Sequence, residues 1–159
     1  MCLVSWNCKG LGNPSKVEAA KDLLKMEPSE ILMLQETKIE GDTLLDISKK
    51  KWQKNAGKAV SSRGSSGGIA TLWKEDQFQL ENSFETQHWI FTELRNCTSK
   101  LTFSLFNIYI LVLYYEKREC WQTLSAFLDL HSPKNIIIAN DLNIVLDTKE
   151  KRGGNNSRD

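Results

Sequence analysis

Short apolar runs separated by turn-forming residues set the pattern of the chain. Leu3-Val4-Ser5-Trp6-Asn7 is a strand-like run that reaches a polar residue, and Cys8-Lys9-Gly10-Leu11-Gly12-Asn13-Pro14 then makes a tight loop. Ser15 with Glu18 three positions later is a capping-box pattern, and Val17, Ala20, Leu23 and Leu24 form one apolar stripe. A helix is therefore predicted from Ser15, ended by Pro28. Ile31-Leu32-Met33-Leu34 is a second strand, finishing at Gln35-Glu36-Thr37-Lys38. Strand, helix, strand predicts a βαβ-like opening, which sets the tips Asn7 and Glu36 within reach of one another.

Beyond it, Gly41 to Lys51 reads as a short, weakly amphipathic helix carrying Leu44, Leu45 and Ile47, and the serine- and glycine-rich stretch from Trp52 to Gly68 reads as a surface loop. Gly68 to Trp73, Phe78 to Phe84, Trp89 to Leu94 and Leu101 to Ile110 are strand runs with turn signals between them, which favours antiparallel pairing. Lys117 to His131 is a helix with Trp121, Leu124, Phe127 and Leu128 on its buried side, stopped by Ser132-Pro133. It leads into Ile136-Ile137-Ile138-Ala139-Asn140-Asp141-Leu142-Asn143, whose three β-branched residues predict a fully buried strand. Ile144-Val145-Leu146 continues it briefly, and residues 147–159 form a polar tail.

A chain of 159 residues fits one domain with a real core, and 40% hydrophobic with 26% charged residues is ordinary for a globular protein. The net charge of +1 calls for no polyanionic partner, so any nucleic-acid surface has to be a local patch. Cys2, Cys8, Cys97 and Cys120 lack metal-ligand spacing and read as reduced thiols. With no leader-like or membrane-spanning run, an intracellular protein that needs no membrane is expected.

The candidate chemistry lies at the strand tips, where open α/β sheets bind ligands. Asp141 and Asn143 are two apart, so an extended backbone sends both side chains from one face; the pair suits a hydrated cation or a positioned water, and equally an Asx-rich turn. Glu36 alone reads more readily as a solvated loop residue. Asn107 and Tyr109 share a face, with Tyr109 either a core ring or a phosphate contact. The lysine run 49–51 is first a favourable helix end, and Lys58 and Arg63 could touch nucleic-acid backbone.

Taken together, Ser5-Trp6-Asn7-Cys8-Lys9-Gly10-Leu11-Gly12, Leu34-Gln35-Glu36-Thr37-Lys38, Asn107-Ile108-Tyr109 and Asn140-Asp141-Leu142-Asn143 resemble the exonuclease/endonuclease/phosphatase family. Within it they are most similar to the apurinic/apyrimidinic-type endonuclease domain of LINE-type (non-LTR) retrotransposons, with Tyr115 to Trp121 and Lys149 to Gly154 closest to the plant versions. The resemblance implies a DNase I-like α/β sandwich of two sheets spanning residues 1–146, incomplete at its carboxy-terminal side and marginally stable. It implies a DNA-nicking phosphodiesterase that uses Mg²⁺, or Mn²⁺, and no small-molecule cofactor. Glu36 with Asn7 would hold the metal, Asp141 would orient or deprotonate the attacking water, Asn143 would hold that water or the phosphate, and Tyr109 would contact the scissile phosphate. Asn107, Lys9 and Lys38 would contact phosphate or DNA. Fusion to a reverse transcriptase and a nuclear site of action go with that parentage.

The chain also departs from the family pattern. Asn140 stands where glycine is usual, which raises crowding of the phosphate or a left-handed backbone there, and Leu111 replaces a common proline. No Ser-Asp-His motif is found, and the histidines are His88 and His131 only. The alternative expectation is therefore a catalytically dead relic or nucleic-acid-binding remnant. A relative acting on another phosphoester, such as an inositol phosphate or sphingolipid, fits the retroelement-like segments less well.

Overall fold

The first and second apolar runs do become neighbouring parallel strands, β1 (Leu3–Asn7) and β2 (Ile31–Gln35), with Asn7 opposite Gln35. The computed structural model describes residues 1–18, 29–52, 54–64, 66–110 and 113–141, with Asp141 described through its backbone alone. Eight strands are described in two sheets. The first has the order β1-β2-β4-β3, with β3 at Asn55–Arg63 and β4 at Ser66–Lys74; the second has the order β5-β6-β7-β8, with β5 at Phe78–Glu85, β6 at Trp89–Asn96, β7 at Thr102–Tyr109 and β8 at Ile136–Asp141. Helix α1 (Gly41–Lys51) packs outside the first sheet and α2 (Tyr114–His131) outside the second. This is the two-sheet, DNase I-like α/β sandwich.

Strand parity builds the layers. Ile31, Met33 and Trp73 point from the first sheet at Phe78, Leu94, Phe103 and Leu105 of the second, filling the space between them. The opposite residues, Leu32, Leu34, Ala70 and Leu72, meet Leu44 of α1. On the far side Trp89, Phe91, Phe106 and Ile108 receive Cys120, Leu124 and Phe127 of α2. Burying aromatic and branched side chains at this density stabilises the fold by roughly 1.5–3 kcal/mol each.

Several expectations are corrected. Residues 55–63 form strand β3, not a loop: this edge strand is made of small residues because α1 lies on it, and a Cβ at Gly57 would sit 2.4 Å from Leu72 Cδ2 and 3.1 Å from Leu45 Cδ2. The first helical turn, at residues 14–18, is capped by Asn13 rather than Ser15; Asn13 Oδ1 accepts from the Ser15 amide at 3.0 Å, and its carbonyl from Lys16 and Val17. Ala20, Leu23 and Leu24 lie outside the described residues. Trp121 is 46% exposed, since α2 buries the face of Cys120, Leu124 and Phe127 instead. Nor is β8 fully buried: it is the last strand of its sheet among the described residues and keeps Ile136 44% and Ile138 52% exposed, while Ala139 turns into the core. Asn140 continues β8 opposite Ile108 without a left-handed backbone.

Candidate active site at the strand tips

The two sheets are locked together one layer beneath their rim. Asn107 on β7 is fully buried; its Oδ1 accepts from Gln35 Nε2 at 2.7 Å, and its Nδ2 donates to the carbonyls of Ala70 (2.8 Å) and Leu34 (3.2 Å). This corrects the reading of Asn107 as a DNA contact: its carboxamide is consumed by strands β2 and β4 and faces no solvent. What it does instead is fix where the next residues emerge, since Gln35 precedes Glu36 and Asn107 precedes Tyr109 by two on the same face.

Past Gln35 the chain stays tied to both neighbours. Glu36 and Thr37 carbonyls accept from the Gly10 and Leu11 amides, each at 2.7 Å, while the Thr37 and Lys38 amides donate to Gly68 and Gly67 carbonyls, each at 3.0 Å. Glu36 and Lys38 both hold left-handed backbones at φ 56°, and Lys9 and Gly10 do so at 47° and 97°. Gly68 makes this approach possible: a Cβ there would meet Thr37 Oγ1 at 2.3 Å and Lys38 N at 3.2 Å. Gly67 in turn lies beside the Tyr109 ring: a Cβ there would sit 4.0 Å from Tyr109 Cε1. Tyr109 packs on Ile69 and pairs in register with Asp141.

The backbone thus brings Asn7, Glu36, Tyr109 and the Asp141 position to one rim, although they are spread over most of the chain. Asn7 Oδ1 accepts from the Lys9 amide at 3.1 Å, which shapes the glycine loop. The Glu36 carboxylate is mostly buried and pairs with Lys38 Nζ at 2.9 Å. Lys9 is exposed, and Lys16 Nζ donates to its carbonyl at 2.7 Å. Asn143 and Leu111 lie outside the described residues. Beneath the loop, burial pushes the Cys8 thiol up to about 12; the Glu36 charge adds to this, and hydrogen bonds and Lys16 offset part of it. Cys8 is thus a neutral packing thiol whose Sγ donates to the Gln35 carbonyl, not a nucleophile.

Among the described residues, no group of three His, Cys, Asp or Glu side chains forms a ready metal cage. Glu36 and Asn7 offer hard oxygen donors at adjacent tips, and a Mg²⁺ ion that keeps several waters needs little more. The Glu36 carboxylate is paired with Lys38, whose ammonium sits on a half-exposed flexible stem. The donor set therefore fits a hydrated divalent cation.

Three residues at or beneath the rim were not singled out in the sequence. Gln35 and Gly68 are structural, and the Gly67-Gly68 doublet at a strand start was the available signal for a close backbone approach. The third is His88, buried in a cleft with Tyr109, to which no pattern in the sequence pointed.

Residues 4–159 match the profile of the Endonuclease/Exonuclease/phosphatase family. No curated protein sequence matches the chain. Among solved structures, the mannosyl-6-phosphatase of Bacteroides thetaiotaomicron superposes with a TM-score of 0.70 at 12% identity, over 89% of this chain and 65% of that one. The AP endonuclease of Leishmania major gives 0.69 at 16% identity, over 96% and 58%. D. rerio TDP2, complexed with a single-strand DNA product, gives 0.66 at 16% identity, over 90% and 60%. The chain thus spans about three-fifths of the length of the solved structures it matches.

Proposed function

We propose, for a chain that belongs to the Endonuclease/Exonuclease/phosphatase family, a divalent-cation-dependent phosphodiesterase that nicks DNA, as the endonuclease domain of a plant LINE-type retrotransposon does. The observation that carries this reading is the meeting of Glu36, Tyr109 and the Asp141 position at one rim, above the Asn107 lock. DNA is favoured over a small phosphoester by the cations around that rim, Lys9, Lys38 and Arg63, and by the AP endonuclease and DNA-bound TDP2 among the similar folds. A reverse transcriptase in the same parent polyprotein, and action in the nucleus, belong to the same proposal.

In this reading Glu36 and Asn7 hold Mg²⁺. When bound, the ion supplies neutralisation of charge developing on the phosphate. Lys38, released from Glu36, turns its ammonium to the DNA backbone, and Lys9 makes a second contact. The Tyr109 hydroxyl orients the scissile phosphate from the β7 side. Asp141 orients or deprotonates the attacking water, and Asn143 holds that water or the phosphate in line.

The test is nicking of supercoiled plasmid in Mg²⁺ by the wild type and by Glu36→Ala. Loss of nicking in the variant is expected; equal nicking by both would remove the metal carboxylate from the scheme. The Lys38–Glu36 ion pair favours one other reading, a DNA-binding remnant in which the lysine neutralises Glu36 permanently. Plasmid binding without cleavage, the same in Mg²⁺ and in chelator, would select it.

A further inference from the structure

On the Tyr109 side of the rim lies a cleft built by five elements: Arg63 of β3, Gly67 of β4, His88 from the turn before β6, Tyr109 at the end of β7, and Glu116 in the first turn of α2. The turn holds His88 firmly. Its amide donates to Thr86 Oγ1 at 3.2 Å, and its carbonyl accepts from the Tyr109 amide at 2.9 Å. With 7% exposure the residue is more than nine-tenths buried, yet its imidazole makes no hydrogen bond among the described residues. Across the same cleft Glu116 Oε2 is buried and likewise has no hydrogen-bond partner. Two polar groups left open in one cleft, beside a tyrosine at the phosphate side of the rim, are the mark of a site that is completed by a ligand.

We infer that His88 is a second phosphate-binding residue beside Tyr109: as imidazolium it donates one N–H to a non-bridging oxygen of a DNA phosphate and the other to Glu116 Oε2. The inference rests on the phosphodiesterase reading of this rim. The chemistry closes because imidazolium has two donors and no acceptor, and the cleft and its ligand offer one anionic oxygen on each side. Arg63 faces the same space and adds a second cation for the phosphate, while Glu116 supplies the charge that keeps the two cations tolerable together. Glu85, near the turn, is already paired with Lys58 at 3.3 Å. His131 is on the other end of α2, stacked on Phe127 at 4.2 Å, and takes no part.

Histidine is the side chain whose ordinary titration falls near neutrality, so the contact should switch with pH. Anisotropy of a labelled duplex is measured in chelator, which prevents cleavage, at about pH 5.5 and about pH 8. The wild type is expected to bind roughly tenfold tighter at the lower pH. His88→Gln should lose most of that gain, Glu116→Gln part of it, and His131→Gln none. Imidazole resonances of the wild type supply a readout independent of any variant's folding, and those of His88 should shift when duplex is added. An unchanged pH response in folded His88→Gln, or an unmoved His88 imidazole on saturation with duplex, overturns this inference and leaves the nicking proposal standing. Failure of the wild type to bind duplex at either pH overturns both.

Discussion

Asn7 and Asn107 sit at nearly the same height in the sandwich and do opposite things. Asn107 faces inward between the sheets, with three strong partners on two strands, and works as a fastener. Asn7 ends the β1 strand in a half-buried position, shaping a glycine loop and presenting oxygen at the rim. The difference is one of facing direction and depth, not of residue type. A polar residue at the end of an apolar strand belongs to the fold when the sheets close over it and to the chemistry when they stop short of it.

The sharpest way to break that distinction is to alter one residue from each layer and ask which property moves. At the rim, Glu36→Ala should lower the nicking rate by about a thousandfold while changing unfolding free energy by no more than about 1 kcal/mol, because its ion pair is partly solvated. In the layer beneath, Asn107→Leu should do the reverse in kind. It leaves Gln35 Nε2 with Ser5 Oγ as its one remaining partner and removes a donor from two buried strand carbonyls, so urea denaturation should show a loss of roughly 3 kcal/mol. Activity per folded molecule should change far less.

Gly68→Ala bridges the two layers. Its Cβ would strike Thr37 Oγ1, and its φ of +83° disfavours any side chain, so a destabilisation of about 2 kcal/mol is expected. A calorimetric melt should show it, together with reduced nicking as Lys38 and Glu36 shift. Alkaline pH distinguishes buried from accessible thiols. Burial raises Cys8 to about 12 and Cys120 to about 11, so above pH 9 the unfolded chain ionises these thiols while the folded chain keeps them protonated. The unfolded state then binds fewer protons, and stability falls as pH rises from about 9 to about 11, by up to about 1.4 kcal/mol per pH unit for each thiol. Urea curves at stepped alkaline pH should show this slope, and it should halve in Cys120→Ala.

Much of this architecture was legible in the sequence because apolar runs fix burial. The parallel pairing of β1 with β2, helix α1, the antiparallel run β5-β6-β7 and the entry to β8 follow from pattern and turn chemistry, whereas β4, expected beside β5, pairs with β2 and β3 because the chain crosses to the second sheet after it. Strand β3 escaped because an edge strand under a helix needs small side chains, and Ala56-Gly57 with Ser61-Ser62 looks like a loop. Trp121 misled because Trp121, Leu124 and Leu128 satisfy helical spacing as well as Cys120, Leu124 and Phe127 do, and periodicity cannot choose between overlapping stripes. Ile136 and Ile138 misled because a run of branched residues reports strand, not position within a sheet. At the candidate site, apolar runs located the strand ends, but only the meeting of two sheets could show that Asn107 is enclosed and that His88 opens beside Tyr109.

The φ of 56° at Glu36 sets two demands on one residue. Glycine would relax the backbone there by about 1 kcal/mol, so a lineage or a laboratory screen filtered for heat tolerance alone would drift toward it and discard the carboxylate. On the phosphodiesterase reading proposed above, sturdiness and reactivity compete at this single codon, and a hardier descendant is the first place to look for a silent one.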